Sequence, residues 1–515
     1  MKIRVIKLSD CDGYTSAAVL INYLNTLFPS FVQNNISYRL HEGKQHGLIP
    51  DTIPKDVKLI ICPDSSSNDY EEHQYFKENG VDVLVIDHHE AEKVSEYACV
   101  INNQLCDYPT KSLSGVGMVY KFCCYLDSLL NKEYANTFLD LTATGLIADM
   151  MDLRDFETKR LIEKGLQDIK NPFLQMMVAK QEYSLGENIT PIGIAFYIAP
   201  YINAITRSGT LEEKMLMFES MVEYKAFELI PSTKRGCKGE QETRVEQACR
   251  TCVNVKNRQT KARDVNLALV EKLIEDNNLL ANKIIVVILP KEAEFNRNLN
   301  GLIANQIMSK YQRPVLILNQ TERDGIKWLE GSGRNFDKGG ISNLRSTLES
   351  YGNSDVCYCE GHESAFGFGI CQNLIEDFIT WSNNKFENID FTAKYDVDFI
   401  YQSQLVKGID ILDIASYKEL WGQGISEPFV VIENVNITKN NIALMKRNTL
   451  KITLPNEKMS FIKFGSSEEE YEKLCAAGGC TIINIVGTCE INSWDNSPQI
   501  KIVDYEIVRQ LDYYF

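Results

Sequence analysis

No stretch of this chain is apolar for the roughly 18 residues that a membrane span needs, and its opening, MKIRVIKLSD, has no apolar signal core. A cytoplasmic protein with no membrane partner is therefore expected. A disulfide framework is lacking too: the 15 cysteines are an odd number scattered over 515 residues, the usage of reduced thiols. Cys249 and Cys252, in CRTC, come nearest to a zinc pattern. A zinc site needs a second pair at suitable spacing, and none is evident, so both are read as helix residues. The chain also has no surplus of basic charge. A net charge of −16 argues against a protein that coats nucleic acid non-specifically, because Lys and Arg grip phosphate. Histidine is scarce, at six, and there is no internal repeat or low-complexity tract.

What remains is an ordinary globular composition, 44% hydrophobic and 24% charged, in a chain long enough for two to four domains. The first part alternates strand and helix signals as a parallel α/β sheet does. IRVIKL (Ile3 to Leu8), KLIICPD (Lys58 to Asp64) and VDVLVID (Val81 to Asp87) read as buried strands, and each runs out onto an aspartate. Ligands of open α/β sheets bind at the carboxyl ends of strands, so three carboxylates delivered there suggest a site. Helical signals dominate from about Gly115 to Asn282. A second α/β unit follows, with strands KIIVVILP and PVLILNQ, the helix GLIANQIMSKY and a Gly-rich stretch GSGRNFDKGG. Beyond Asp396 five short β segments suggest a small barrel of the oligonucleotide/oligosaccharide-binding (OB) type.

The charge is uneven. From Pro231 to Asp264 nine basic residues (Lys234, Arg235, Lys238, Arg244, Arg250, Lys256, Arg258, Lys261 and Arg263) face four acids, a local net of +5. This stripe either tracks the phosphates of a bound strand or is a solvated helix face.

The acidic residues at the strand ends are of the kinds that hold hard divalent cations. Asp10 and Asp12, in SDCDGYTS, flank one residue and would project to the same side of an extended strand end. Asp87, His88 and His89 add a carboxylate and two imidazoles directly after a buried strand. Carboxylate oxygens suit Mg²⁺ and Mn²⁺, and Mn²⁺ also accepts imidazole.

SDCDGYTS, ICPDSSS, VIDHHE and TGLIADMMDL, in that order, resemble the four motifs of the DHH phosphoesterase superfamily. The resemblance implies a site for two Mn²⁺ or Mg²⁺ ions on Asp10, Asp12, Asp64, His88 and Asp149, with Asp64 shared between the ions. Asp87 and His89 complete the catalytic triplet, His89 near the phosphate. Later segments are similar to those of RecJ. IAPYINAITRSG places Asn203 and Arg207 at substrate-binding positions, and LEGSGRN and CEGHESAFGFGI resemble signatures of the DHH-associated domain, at Ser332, Arg334, Gly361 and His362. Gly-rich loops let backbone N–H groups approach a phosphate, and Arg334 can pair with it bidentately. Arg258 joins this set from the basic stripe. FIKFGSSEEEYEKL and the β segments after it resemble the RecJ barrel, where Lys446, Arg447, Lys451, Lys463 and Trp494 are candidates for holding a strand; Trp494 could equally be core.

The fold expected is two α/β lobes, a DHH parallel-sheet domain (1–230) and a DHH-associated domain (283–395), joined by a basic helical connector (231–282), plus an OB-type β-barrel (396–515). The resemblance implies a metal-dependent exonuclease of single-stranded DNA, running 5′ to 3′ and releasing 5′-mononucleotides, with a single-strand-binding protein or a helicase as partner. A short-oligonucleotide or cyclic-dinucleotide phosphodiesterase is the alternative, disfavoured by the barrel. A non-catalytic replication scaffold is disfavoured by the complete ligand set. Departures such as EGHESAFG for Gly-Gly-His-x-x-Ala-Ala-Gly, Leu8 and Ser9 where a His is common, and the short lead before Asp10 mark a divergent or phage-type member.

Overall fold

The computed structural model describes residues 2–511 apart from 8–9, 41–46, 187, 238, 292–294, 296, 324, 353–355, 447, 455–457, 476–478 and 493. Leu8, Ser9, Lys238 and Arg447 thus lie outside the described residues. The chain divides into two compact units, 1–255 together with 397–515, and 256–396.

In the first unit, β1 (Lys2–Lys7), β2 (Ile36–Leu40), β3 (Val57–Pro63), β4 (Asp82–Asp87) and β5 (Cys99–Asn102) form a sheet of order β2-β1-β3-β4-β5. All its pairings are parallel. Val5, Ile61 and Ile86 pack into one core and Ile6, Ile60, Cys62 and Val85 into another. Burial of both faces explains why these strands read as apolar runs and do not alternate. The order reverses between β1 and β3, and this switch point, at the strands' carboxyl ends, is where a crevice forms. Helices Cys11–Leu27, Gly115–Leu130 and Leu139–Ala148 pack on one another, burying Tyr14, Tyr23 and Phe138. Cys249 and Cys252 are buried in the same core.

The connector is helical only from Arg244 to Asp276. Before it, β6 (Leu229–Pro231) and β7 (Gln241–Thr243) make a short antiparallel hairpin, so the expected helix over 231–282 starts late. Pro231 cannot donate to a helix, and buried Glu242 ties the hairpin together by accepting from Ser232 and Thr233. Much of the basic stripe is neutralised internally. Arg244 pairs with Glu219 and Glu228, Lys234 and Arg250 with Glu242, and Arg263 with Asp264. Arg258 and Lys256 are engaged as well.

The second unit carries β8 (Ile285–Ile288), β9 (Val315–Arg323), β10 (Ile326–Arg334), β11 (Cys357–Gly361) and β12 (Ala365–Cys371), in the order β11-β12-β10-β9-β8. Only β8–β9 is parallel among these pairings. GSGR belongs to β10 and is not the expected loop: Ser332 pairs with Ile317 on one side and Gly367 on the other.

The chain then returns to the first unit with β13 (Phe399–Gln402), β14 (Val430–Ile437), β15 (Ile442–Met445), β16 (Thr449–Leu454), β17 (Met459–Phe464), β18 (Cys480–Ile491) and β19 (Pro498–Leu511). They form one mixed sheet, ordered β13-β14-β18-β19-β17-β16-β15, around Val430, Ile432, Leu450, Phe461, Ile485 and Ile500. The two strands beyond the five read from the sequence, β13 and β15, are four residues each, too short for a clear period-2 signal. Trp494 is not core: it is 81% exposed and stands edge-on to Tyr183, ring centroids 6.2 Å apart. Among the described residues no helix is long and apolar enough to cross a membrane.

Candidate metal centre

The strand β1 ends before the first acidic motif, and Asp10 and Asp12 belong to a helix start, not to the extended strand end expected. Asp10 is the N-cap of helix Cys11–Leu27, its Oδ1 accepting from Gly13 N at 2.9 Å. A capping aspartate satisfies one of the orphan donors of a first turn. Asp12, in that turn, is buried and points at the start of helix Gly115–Leu130. It accepts from Ser114 Oγ at 2.8 Å, Gly115 N at 2.7 Å and Val116 N at 3.1 Å. Unpaired N–H groups and the helix dipole both favour a carboxylate there. Gly115 is required by close packing, since a Cβ at that position would lie 2.3 Å from Asp64 Oδ1.

Asp64 follows β3 with φ +64°, and Ser66 has φ +80°. Strained backbone of this kind persists only where the surroundings enforce it, and here Asp64 N donates to Ile86 O at 2.7 Å. Asp64 Oδ1 is buried and has no hydrogen-bond partner. His88 Nε2 lies 3.3 Å from it, 3.5 Å from Asp149 Oδ2 and 4.0 Å from Asp12 Oδ2. Asp149 is the C-cap of helix Leu139–Ala148. Met150 follows at φ +56°, its N–H donating to Ile147 O and that of Met151 to Leu146 O, which is a Schellman ending.

Two sets of ligand atoms each lie within 4.8 Å of one another, one from Asp12, His88 and Asp149, the other from Asp64, Asp87, His88 and His89. His88, and not Asp64, is common to both. Asp10 falls outside both sets, though its charge acts on Asp12, Asp64 and Asp149.

The carboxylates repel one another in a dry setting. Burial, then Asp12 and Asp10, pushes Asp64 well above the usual carboxylate range. Burial, with Asp12 and Asp10 adding to it, raises Asp149 to about 8. Asp12 is raised by burial against the opposing pull of His88. Burial lowers His88 and keeps its imidazole neutral, the form that ligates. Asp87 behaves differently. Burial would raise it, but the hydrogen bond and charge of His89 and the amides around it bring it down to about 2. Its Oδ1 faces His89 Nδ1 at 2.7 Å and accepts from His88 N at 2.8 Å, while Oδ2 accepts from Ser67 N at 3.1 Å. Asp87 therefore orients the histidines, and the contact raises His89.

Two supporting groups escaped the sequence reading. Asn102 donates to Ser67 Oγ and to His89 O, both at 2.9 Å, bracing the histidine turn, and Ser114 holds Asp12. Their only signal was the polar end of β5 and the Ser-Gly step before a helix.

Asn203, on helix Ala199–Ser208, reaches the first motif: its Oδ1 accepts from Cys11 N at 3.2 Å. Arg207, one turn on, shares that face. In the second unit Arg334 is opposite Ala365, whose carbonyl accepts from His362 N, and Gly361 is opposite Phe366. Register thus brings Arg334, Gly361 and His362 to one end of the sheet, with Ser332 two residues back. The Arg334 guanidinium lies against Gly301, where a Cβ would be 2.4 Å from Nη2.

The donor set fits hard divalent cations. Carboxylate oxygens and an imidazole converge, one buried oxygen has no hydrogen-bond partner, and burial together with the neighbouring carboxylates raises Asp12, Asp64 and Asp149. A parallel sheet that gathers such ligands at its switch point has the architecture of DHH phosphoesterases. The model of the DHH family, N-terminal domain, matches residues 2–146, and that of the RecJ OB domain matches residues 408–504. Over 510 residues the chain is 37% identical to YorK, an SPbeta prophage-derived protein of Bacillus subtilis (strain 168) named as a single-strand DNA-specific exonuclease. That match covers 97% of this chain and 86% of YorK. The single-stranded-DNA-specific exonuclease RecJ of the same organism is 26% identical, over 98% of this chain and 61% of RecJ. The fold is shared with the crystal structure of RecJ in complex with Mn²⁺ from Thermus thermophilus, at TM-score 0.70 and 19% identity, over 99% of this chain and 70% of that one. The chain belongs to the RecJ-like single-strand-DNA-specific exonuclease family of the DHH superfamily.

Proposed function

We propose that this chain hydrolyses phosphodiester bonds of single-stranded DNA from the 5′ end, releasing 5′-mononucleotides, with two Mn²⁺ or Mg²⁺ ions. The observation that carries this is the cluster around His88, where buried Asp64 Oδ1 has no hydrogen-bond partner and burial raises Asp149 to about 8. Asp12, Asp64, His88 and Asp149 hold the cations, with Asp10 at the border. Such ions neutralise charge on the attacking and leaving oxygens and acidify a water. Asp87 favours the imidazolium of His89, whose half-exposed ring presents Nε2–H to a phosphate oxygen. Asn203 and Arg207 in the first unit, and Arg258, Ser332, Arg334, Gly361 and His362 in the second, each offer contacts to phosphate. The OB-type domain tracks the same strand with Lys446 and Lys451, and Trp494 offers an exposed ring for a base. Lys463 is held by Glu470. The names of YorK and RecJ as single-strand-specific exonucleases, and the Mn²⁺ bound by Thermus RecJ, support the reading. The free cysteines suit a reducing cytoplasm, where a helicase or single-strand-binding protein would supply strands.

The test is incubation with Mn²⁺ and oligonucleotides labelled at either end. Stepwise shortening from the 5′ end of single strands, with blunt duplexes resistant, is expected. Cutting of circular single strands at a comparable rate would contradict an exonuclease.

A further inference from the structure

Close to the second acidic motif lies a histidine that the metal centre does not use. His73 sits in the first turn of helix Tyr70–Glu78 and is fully buried, and neither ring nitrogen has a hydrogen-bond partner among the described residues. A polar group left in this state costs stability. Packing alone would be served by an apolar side chain, as at buried Phe76 three residues on. Asp69, just before the helix, is occupied elsewhere: its carboxylate accepts from Leu48 N at 2.7 Å.

Side chains of a helix lean toward its N-terminus, which directs His73 to the loop between β3 and the helix. Burial, the largest influence, keeps the imidazole neutral; the charge of Asp69 and the Ser66 carbonyl pull the other way, which places that carbonyl beside the ring. A neutral imidazole has one N–H to give. The Ser66 carbonyl takes a long bond from Asp69 N, 3.3 Å, and has a second lone pair for another donor. Ser66 is also the residue that needs support. It stands at φ +80°, a costly conformation for a residue with a Cβ. The ends of its loop are fixed on β4 and build the centre: Asp64 N donates to Ile86 O, and Ser67 N to Asp87 Oδ2.

We propose that His73 is a positioning residue of the metal centre: it gives its ring N–H to the Ser66 carbonyl, holds Ser66 in its left-handed conformation, and so keeps Asp64 aimed at the cations. The proposal rests on the two-metal reading of the site. Asn102 braces the histidine turn; His73 does the same for the carboxylate turn. Outer partners of this kind set metal affinity by roughly 10- to 100-fold.

The test is calorimetric titration of Mn²⁺ into chelator-treated protein, with thermal melts in chelator beside it. His73→Val should melt no lower than wild type, since an apolar group replaces a poorly paired polar ring, yet bind Mn²⁺ about tenfold more weakly. His73→Gln, which retains a donor, should recover most of that affinity. Ser66→Gly removes the need for a brace, so in that background His73→Val should change Mn²⁺ affinity by less than about threefold. Should His73→Val melt below the titration temperature, His73→Asn replaces it with the same expectations, its shorter amide stopping short of the carbonyl. Wild-type Mn²⁺ affinity in the folded variant would overturn the proposal and leave the two-metal reading in place. So would a His73→Gln no better than His73→Val, or an undiminished loss in the Ser66→Gly background. A wild-type protein that binds no Mn²⁺ would overturn the two-metal reading and the proposal together.

Discussion

Two acidic groups of the first unit, both pushed up by burial, end with opposite net shifts. At the switch point of the parallel sheet, Asp12, Asp64 and Asp149 crowd together with one neutral histidine among them and are raised. Around the hairpin before the connector helix, buried Glu242 and the partly buried Glu219 of helix Leu211–Met221 are both lowered instead. Burial would raise Glu219, but Lys225, Tyr38 and Arg244 outweigh it; for Glu242 the hydrogen bond from Arg250 dominates, with Gln247, Thr233 and Lys234 adding to it. The difference is the counter-charge. A carboxylate that the chain itself neutralises is a structural device; one left in low dielectric without a partner is destabilising unless something outside the chain supplies the charge.

The largest effect expected from breaking this contrast is catalytic. His88→Ala or Asp149→Ala should cut Mn²⁺-dependent hydrolysis by more than the roughly 100-fold that loss of an outer-shell partner costs, with an unchanged circular dichroism spectrum. Full activity in either variant would remove the site. The opposite response is expected at the hairpin. Glu242→Ala leaves Arg250 and Lys234 without their partner and should cost about 3 kcal/mol in urea unfolding, while kcat below the melting transition stays at the wild-type value.

How far this contrast could be read in the sequence depends on the kind of signal. Asp64, Asp87 and His88 were visible because apolar strands run straight out onto them, and Asp149 only through the resemblance of TGLIADMMDL to the fourth DHH motif. The parallel sheet followed from the same runs. Asp10 and Asp12 were placed on the wrong backbone, because an Asp-x-Asp step does not say whether the strand has already ended; the N-cap decides it. The net charge of the basic stripe is likewise not legible from its own residues alone. Its +5 counts nearby charges in sequence, whereas Glu219 and Glu228, which lie outside the stripe, neutralise Arg244 only once the chain has folded. GSGR looked like a loop because glycine is rare in strands, and only pairing with Ile317 and Gly367 shows that it is a ladder. The contacts of Asn102 with Ser67 and His89 join residues far apart in sequence, so no local pattern announces them.

A smaller effect should appear in the pH dependence of the metal-free protein. Asp12, Asp64 and Asp149 have folded values above the unfolded value of about 4, so between that pH and about 8 the folded form binds more protons than the unfolded one. Stability therefore falls as pH rises through this window. Glu242, being lowered, contributes in the other sense: its stabilisation is present above its unfolded value and is lost as pH falls further. Thermal melts in chelator from pH 5 to pH 9 should show the decline, and Asp149→Asn should flatten it by about a few degrees. A midpoint independent of pH in this range would mean that the carboxylates are already compensated.

The most direct measurement is calorimetric titration of Mn²⁺ into chelator-treated protein at pH 8. Two ions per chain should bind to wild type, and Asp64→Asn should bind fewer or bind them far more weakly, because it removes the charge of the side chain whose buried oxygen has no hydrogen-bond partner. Binding of Mn²⁺ to Asp64→Asn with wild-type stoichiometry and affinity would contradict the account, since the uncompensated carboxylates would then not be what holds the cations.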